Sequence, residues 1–143
     1  MSLFTSLSVS ASGMGAQRIR AELLVENIAN AETTRTPDGG AYRRKDVIFN
    51  SESQSSPFSS VFQTHLDANG VAVSDIIEDN RDPDRRYLPG HPDADGAGYV
   101  AFPRINPAED MVDLMGASRG YQANIAAMTA VKDMIHRSLD LMR

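Results

Sequence analysis

All seven prolines of this chain lie between Pro37 and Pro107, and none precedes or follows them. Proline removes a backbone donor and clashes with the preceding helical turn, so long proline-free ends are where long helices fit. The distribution divides the chain into helix, irregular middle and helix. The boundaries fall at residues 1–32, 33–105 and 106–143.

The N-terminal stretch carries the right pattern. Leu3, Leu7, Met14, Ala21, Leu24, Ile28 and Ala31 fall on alternating spacings of three and four, with Ser10 and Gln17 in the two polar places. The spacing predicts one helix from about Ser2 to Ala31, roughly 45 Å long. Thr33, Thr34 and Pro37 end it.

The C-terminal stretch is more regular. Met111, Leu114, Ser118, Tyr121, Ile125, Met128, Lys132, Ile135, Leu139 and Met142 continue the same spacing, and eight of these ten are apolar. That is a heptad seam. Asn106 suits the cap, Pro107 the first helical position, and Glu109 the place from which a capping-box carboxylate reaches back. A narrow seam gains little from helix propensity alone and needs a partner helix. The other terminal helix is the simplest partner. A coiled coil and a plain helical hairpin fit the periodicity equally.

The middle is rich in Pro, Gly, Ser and Asp. Strand-like pieces run over Tyr42–Phe49, Val61–Leu66, Val71–Ile77 and Tyr99–Phe102. Asp67-Ala68-Asn69-Gly70 has the composition of a hairpin turn. Arg81–Gly98 reads as consecutive turns. So thin a segment buries little core. The expected fold is mainly α with a small β segment: long terminal helices paired as a coiled coil and joined by an irregular middle containing a β-hairpin. Such a chain suits a subunit ordered by its neighbours. A soluble helical-hairpin adaptor or scaffold is the alternative.

Bulk properties exclude several functions. The 143 residues carry 14 Lys+Arg against 19 Asp+Glu, a net charge of −5. Nucleic-acid binding depends on clustered positive charge, which this balance does not favour. Without cysteine there is no disulfide, thiolate zinc site or thiol nucleophile. No apolar run approaches the roughly 20 residues that cross a bilayer. The opening residues have no basic leader before an apolar stretch, so no cleaved signal peptide is expected.

Two constellations invite chemistry. Gly116-Ala117-Ser118-Arg119-Gly120 matches a nucleophile elbow, with Asp133 and His136 following in hydrolase order. An elbow needs a strand entering a sharp turn, yet Ser118 falls inside the predicted helix. His136 lies roughly 27 Å further along it, far beyond the reach of a triad. His91-Pro92-Asp93-Ala94-Asp95-Gly96 suggests a metal loop. Counted from Asp93 as an EF-hand, it has Ala97 at the fifth position and Arg104 at the twelfth, where ligands belong. Asx-type turns are the better reading. His65 and His136 have no supporting ligand pattern. No catalytic, cofactor or metal residue is expected.

Four motifs carry a resemblance. Asn27-Ile28-Ala29-Asn30-Ala31 resembles the N-terminal signature of the flagellar rod and hook proteins. Ser118-Arg119-Gly120-Tyr121-Gln122-Ala123-Asn124 resembles their C-terminal signature, Ser-Arg-x-Tyr-x-Ala-Asn. Thr34 to Gly40 leading to Tyr42-Arg43-Arg44-Lys45 resembles proximal-rod members of that family. So does Tyr87 to Asp95 leading to Gly98-Tyr99-Val100. The resemblance runs from about residue 2 to residue 142. It departs at Pro103-Arg104-Ile105-Asn106, where the family often has Pro-Asn-Val-Asn, and at Gly120, where a larger residue is common.

The resemblance implies a structural subunit that polymerises with itself and other rod proteins into a helical tube across the periplasm. Basal-body ring and export-gate proteins would be its other partners. It implies export through the flagellar type III apparatus, with Phe62 and Leu66, or Phe58 and Phe62, as the export signal. The terminal helices would form the inner tube wall, ordering on assembly. Leu3, Leu7, Met14, Leu24, Ile28, Met111, Leu114, Tyr121, Ile125, Met128, Ile135 and Leu139 are the expected assembly residues. Asn27, Asn30 and Asn124 are expected to hydrogen-bond at subunit contacts.

Overall fold

A computed structural model describes residues 3–53 and 69–141. Its order is α1 (Leu3–Ala29), β1 (Lys45–Ser53), β2 (Asn69–Glu78), β3 (Asp84–Tyr87), β4 (Tyr99–Phe102) and α2 (Pro107–Asp140). The two long helices, the small β region and their order are as the sequence predicts.

α1 begins in a serine-rich stretch that competes poorly for helix. Its hydroxyls fold back on their own backbone: Ser8 donates to the Thr5 carbonyl, Ser10 to Ser6 and Ser12 to Val9. The helix ends where the Asn30 amide returns to the Glu26 carbonyl at 2.9 Å and Thr33 Oγ1 donates to Asn30 Oδ1 at 3.1 Å. α2 opens as its sequence specifies. The Asn106 side chain accepts from the Ala108 N–H at 3.2 Å, and Pro107 stands in the first turn. Only half of the capping box forms: among the described residues, Glu109 makes no bond back to the cap. Its charge still sits at the favourable end of the helix dipole. No helix among the described residues is long and apolar enough to cross a membrane.

The helices pack antiparallel. Gly13 faces Asn124, Gln17 faces Gly120, and Arg20 pairs with Asp113 at 3.7 Å. Rising numbers on one helix meet falling numbers on the other. Ala16, Leu23 and Leu24 of α1 are buried, as are Ala117 and Val131 of α2. A methyl group on Gly120 would stand 3.2 Å from Gln17 Cδ, and one on Gly13 would stand 3.0 Å from the Asn124 amide. These glycines let the two backbones approach.

The seam is not the stripe the spacing picks out. Leu24 is buried, and Leu7, Met14, Ile28, Leu114, Met128 and Ile135 are half-buried. Leu3, Met111, Tyr121, Ile125 and Leu139 are exposed, at 53 % for Met111 and 57 % for Leu139. Ser118 is exposed as well. The face that meets the partner helix is built from Gly13, Ala16, Ala117, Gly120, Asn124 and Val131. Small and polar residues let helices come close but score poorly as hydrophobic periodicity.

Gly116 separates from Gly120 here. A methyl on Gly116 meets nothing within 4 Å. Gly116→Ala should therefore stabilise the chain by about 0.5–1 kcal/mol through helix propensity. Gly120→Val should destabilise it by about 1–3 kcal/mol through overpacking. Urea unfolding of the two variants reads both signs.

The β region forms two separate antiparallel pairs, β1 with β2 and β3 with β4. In the first, Lys45 faces Glu78 and Ser53 faces Asn69, with a bulge after Ile48. β1 starts at Lys45, later than the predicted Tyr42, because the Tyr42 N–H bonds the Thr33 carbonyl at 3.1 Å instead of a partner strand. Asn69 and Gly70, predicted as a hairpin turn, are the first residues of β2 and pair with Ser53 and Glu52. The predicted strand Val61–Leu66 lies outside the described residues. The stretch read as consecutive turns contains β3, in which Asp84 faces Phe102 and Tyr87 faces Tyr99. Val100 of β4 is almost wholly buried. Gly98 closes this pair with φ +81°, and a methyl there would stand 2.9 Å from Tyr87 Cε2. Both facts require glycine.

Candidate assembly surface

One joint ties the β region to the helical hairpin. Asn27 is completely buried. Its Nδ2 donates to the Lys45 carbonyl at 2.8 Å, and its Oδ1 accepts from the Lys45 N–H at 2.9 Å. Tyr42 Oη donates to the same Oδ1 at 3.1 Å. The side-chain amide thus pairs with the head of β1 as a neighbouring strand would. Beside it, Lys45 Nζ meets Glu26 Oε1 at 2.6 Å, and that bond raises the lysine pKa. Burial raises the Tyr42 phenol, with the Glu26 charge adding to it.

Further along, Ser12 Oγ accepts the Val71 N–H at 3.1 Å and fastens β2 to α1. At the start of α2, Asp110 is completely buried, with Arg44 Nη2 3.0 Å from its Oδ1. Neither carboxylate oxygen has a well-aligned hydrogen bond among the described residues, so the contact is ionic. Burial raises the Asp110 carboxyl. Arg44 opposes the shift, and Asp46, Asp113 and Glu109 add to it.

These contacts give the three signature asparagines partners within the chain. Asn27 makes its bonds inside the chain, Asn30 caps its own helix, and Asn124 Nδ2 donates to the Gly120 carbonyl while packing on Gly13. The side-chain bonds that these three asparagines make among the described residues strap the chain to itself. The sequence gives no direct sign of Lys45 and Tyr42 as partners of Asn27, because backbone groups of β1 do the pairing. Phe58, Phe62 and Leu66 lie outside the described residues.

The hydrolase and metal constellations are absorbed by structure. Ser118 sits mid-helix on an exposed face. In the His91–Asp95 loop, His91 Nδ1 accepts the Asp93 N–H, Thr34 donates to Asp93, and Asp95 accepts from Ala97 and Tyr99 N–H. Those backbone bonds, Tyr99's first, lower the Asp95 pKa. Asp95 serves the loop's own turn, and Asp93 ties the loop to Thr34 and Arg35 after α1.

A second acid–base pair gives a pH test. Arg81 grips Asp79 through its side chain and its backbone N–H, and holds that carboxyl at about 2, below its ordinary 3.8. A lowered folded value means stability present above the unfolded value and lost as pH falls through the folded one. The melting-temperature gap between the native chain and Asp79→Asn should be open near pH 5 and close by about pH 2. Thermal melts across that range check it.

What remains open is apolar. Met111, Met115, Tyr121, Ile125 and Leu139 run along the flank of α2, and Leu3, Phe4 and Val25 stand on the outer side of α1. A helical hairpin with a strapped β arm and uncovered apolar flanks is the form of a structural subunit.

Comparison with known proteins agrees. Residues 97–141 match the family model described as Flagellar basal body rod FlgEFG protein C-terminal. The chain is 38 % identical over 151 residues to flagellar basal-body rod protein FlgC of Borreliella burgdorferi, covering 100 % of this chain and 99 % of that one. It is 41 % identical over 150 residues to FlgC of Bacillus subtilis, covering 99 % of each. It is 36 % identical over 141 residues to FlgC of Escherichia coli, covering 99 % of this chain and 98 % of the relative. The chain belongs to the FlgC family of flagellar basal-body rod proteins.

Proposed function

We propose that this chain is a structural subunit of the flagellar basal-body rod, placed in its proximal part and without catalytic activity. It polymerises with itself and other rod proteins into the helical shaft that motility requires. Family membership over the full length carries the reading, and the uncovered apolar flanks support it. Each Å² of apolar surface covered by a neighbour contributes about 25 cal/mol. Part of that offsets the freedom lost on assembly.

In this reading Met111, Tyr121, Ile125 and Leu139 contact adjacent subunits, as do Leu3 and the half-buried Leu7, Met14 and Ile28. Leu24, Leu114, Met128 and Ile135 hold the two helices of one chain together. The β arm contacts neighbours on the outside of the tube. Basal-body ring and export-gate proteins are its other partners, and the flagellar type III system exports it.

A soluble adaptor is the second reading, favoured by the closure of α1 on α2 within one chain. Deleting the chain from its own cell separates the two. A rod subunit predicts non-motile cells whose basal bodies lack a rod. Intact rods and normal swimming would overturn the proposal in favour of the adaptor.

A further inference from the structure

On this acidic chain, four arginines from three separate segments meet in one place. A cavity of about 140 Å³ lies between the Gly39–Arg44 turn, the Asp79–Pro83 segment and Pro103-Arg104. Arg43, Arg44, Arg81 and Arg104 line it, with Asp79 as its single carboxylate. A wider groove continues from it past Arg86 to the start of α2.

The partners within the chain leave two of these cations over. Arg81 holds Asp79, and Arg44 is shared between Asp46 at 3.5 Å and Asp110 at 3.0 Å. Arg43 reaches only the neutral amide of Asn80, at 2.7 Å. Arg104 makes no ion-pair contact among the described residues; its charge only adds, beyond contact range, to the field that lowers the Asp79 pKa. Both are exposed, and both line the same cavity. The walls include Tyr42, Pro83 and Pro103, which offer apolar contact to a short aliphatic stem. A carboxylate on a methylene stem fits that chemistry. Two guanidinium forks can grip its oxygens while the stem rests on the ring carbons.

We propose that this cavity seats an aspartate or glutamate side chain of an adjacent copy of the same chain, with Arg43 and Arg104 as its ligands. The inference rests on the rod-subunit reading. Charge complementarity argues for a second copy. The chain is −5 overall, and Glu52, Asp75 and Asp133 are exposed carboxylates with no ion pair among the described residues. A rim ion pair of this kind fixes orientation and register between subunits more than it adds affinity.

The test uses the full chain in its own cell. Arg43→Glu with Arg104→Glu changes two exposed side chains, so circular dichroism and melting should match the native protein. Its recovery in purified basal bodies should fall about tenfold or more. Arg43→Lys with Arg104→Lys keeps the charge without the planar forks and should restore recovery in part. A photo-crosslinking residue at position 104 of the otherwise native chain should give an adduct of the chain with itself. Normal recovery of the charge-reversed protein would overturn the inference, as would an adduct only to a different protein. If the reversed protein is recovered normally while the native one binds inorganic phosphate by calorimetry, the cavity is a free-anion site and the inference again fails. Absence of the native chain from basal bodies would instead overturn the rod-subunit reading.

Discussion

Cells whose only copy of this chain carries Ile125→Asp should make the protein at its normal level and build no rod from it. Ile125 is 44 % exposed on the flank of α2. In a single chain the aspartate points partly into water, so folding loses little. Against a neighbouring helix the same carboxylate would be buried without a partner, and an unpaired charge tolerates that poorly. The effect is therefore all-or-none on assembly and small on the monomer. Val131→Asp provides the contrast. Val131 is buried between α1 and α2, so its replacement should unfold the hairpin itself and lower the protein level. Immunoblots and electron microscopy of basal bodies read both quantities. Rods of normal length in the Ile125→Asp strain would show that the α2 flank is not an interface.

Asn27→Ala should have the largest effect on the chain itself, a loss of about 3–5 kcal/mol. The substitution removes three hydrogen bonds at once. It strands the partly buried Lys45 N–H and C=O and the buried Tyr42 hydroxyl, and each unsatisfied buried group costs about 1–3 kcal/mol. Some of that is recovered if water enters the space the amide leaves. Asn27→Asp loses the donor to the Lys45 carbonyl and sets a buried carboxylate oxygen against that acceptor, so at neutral pH it should be at least as destabilised as the alanine variant. Denaturant midpoints order the three proteins. An alanine variant as stable as the native chain would contradict the strap.

Much of this fold was legible in the sequence because its strongest signals are local. Proline placement marked both helices, and Asn106-Pro107 marked the start of α2 to the residue. The errors have a common cause. Three-four counting finds the most apolar stripe, whereas two helices in one chain meet on the face that lets them come closest. Here that face holds Gly13, Ala16, Ala117 and Gly120, and the apolar stripe is displaced to the flank. The bond of Asn27 to Lys45 was not legible, since nothing local says that the head of a strand so far along the chain will bind its amide. β3 went unread because Asp84-Arg85-Arg86-Tyr87 is polar and exposed on every residue. Only its partner β4, with buried Val100, reveals it. Asn69-Gly70 was read by composition as a turn, but its pairing with Glu52 and Ser53 makes it strand.

The Arg43 and Arg104 cavity shows the opposite situation. No run of sequence announces it, because its cations come from three separate segments that the β arm folds together. Arg43-Arg44-Lys45 is one short basic run in the sequence. The fold sends its members to different tasks: Arg43 to the cavity, Arg44 toward the buried Asp110, and Lys45 to Glu26 and Asn27.

The most direct test of the central claim is mass spectrometry of intact basal bodies purified from cells that express a tagged copy of this chain. The account predicts the chain in the particle together with the rings and the other rod proteins. Particles that contain those proteins and lack this chain would contradict it.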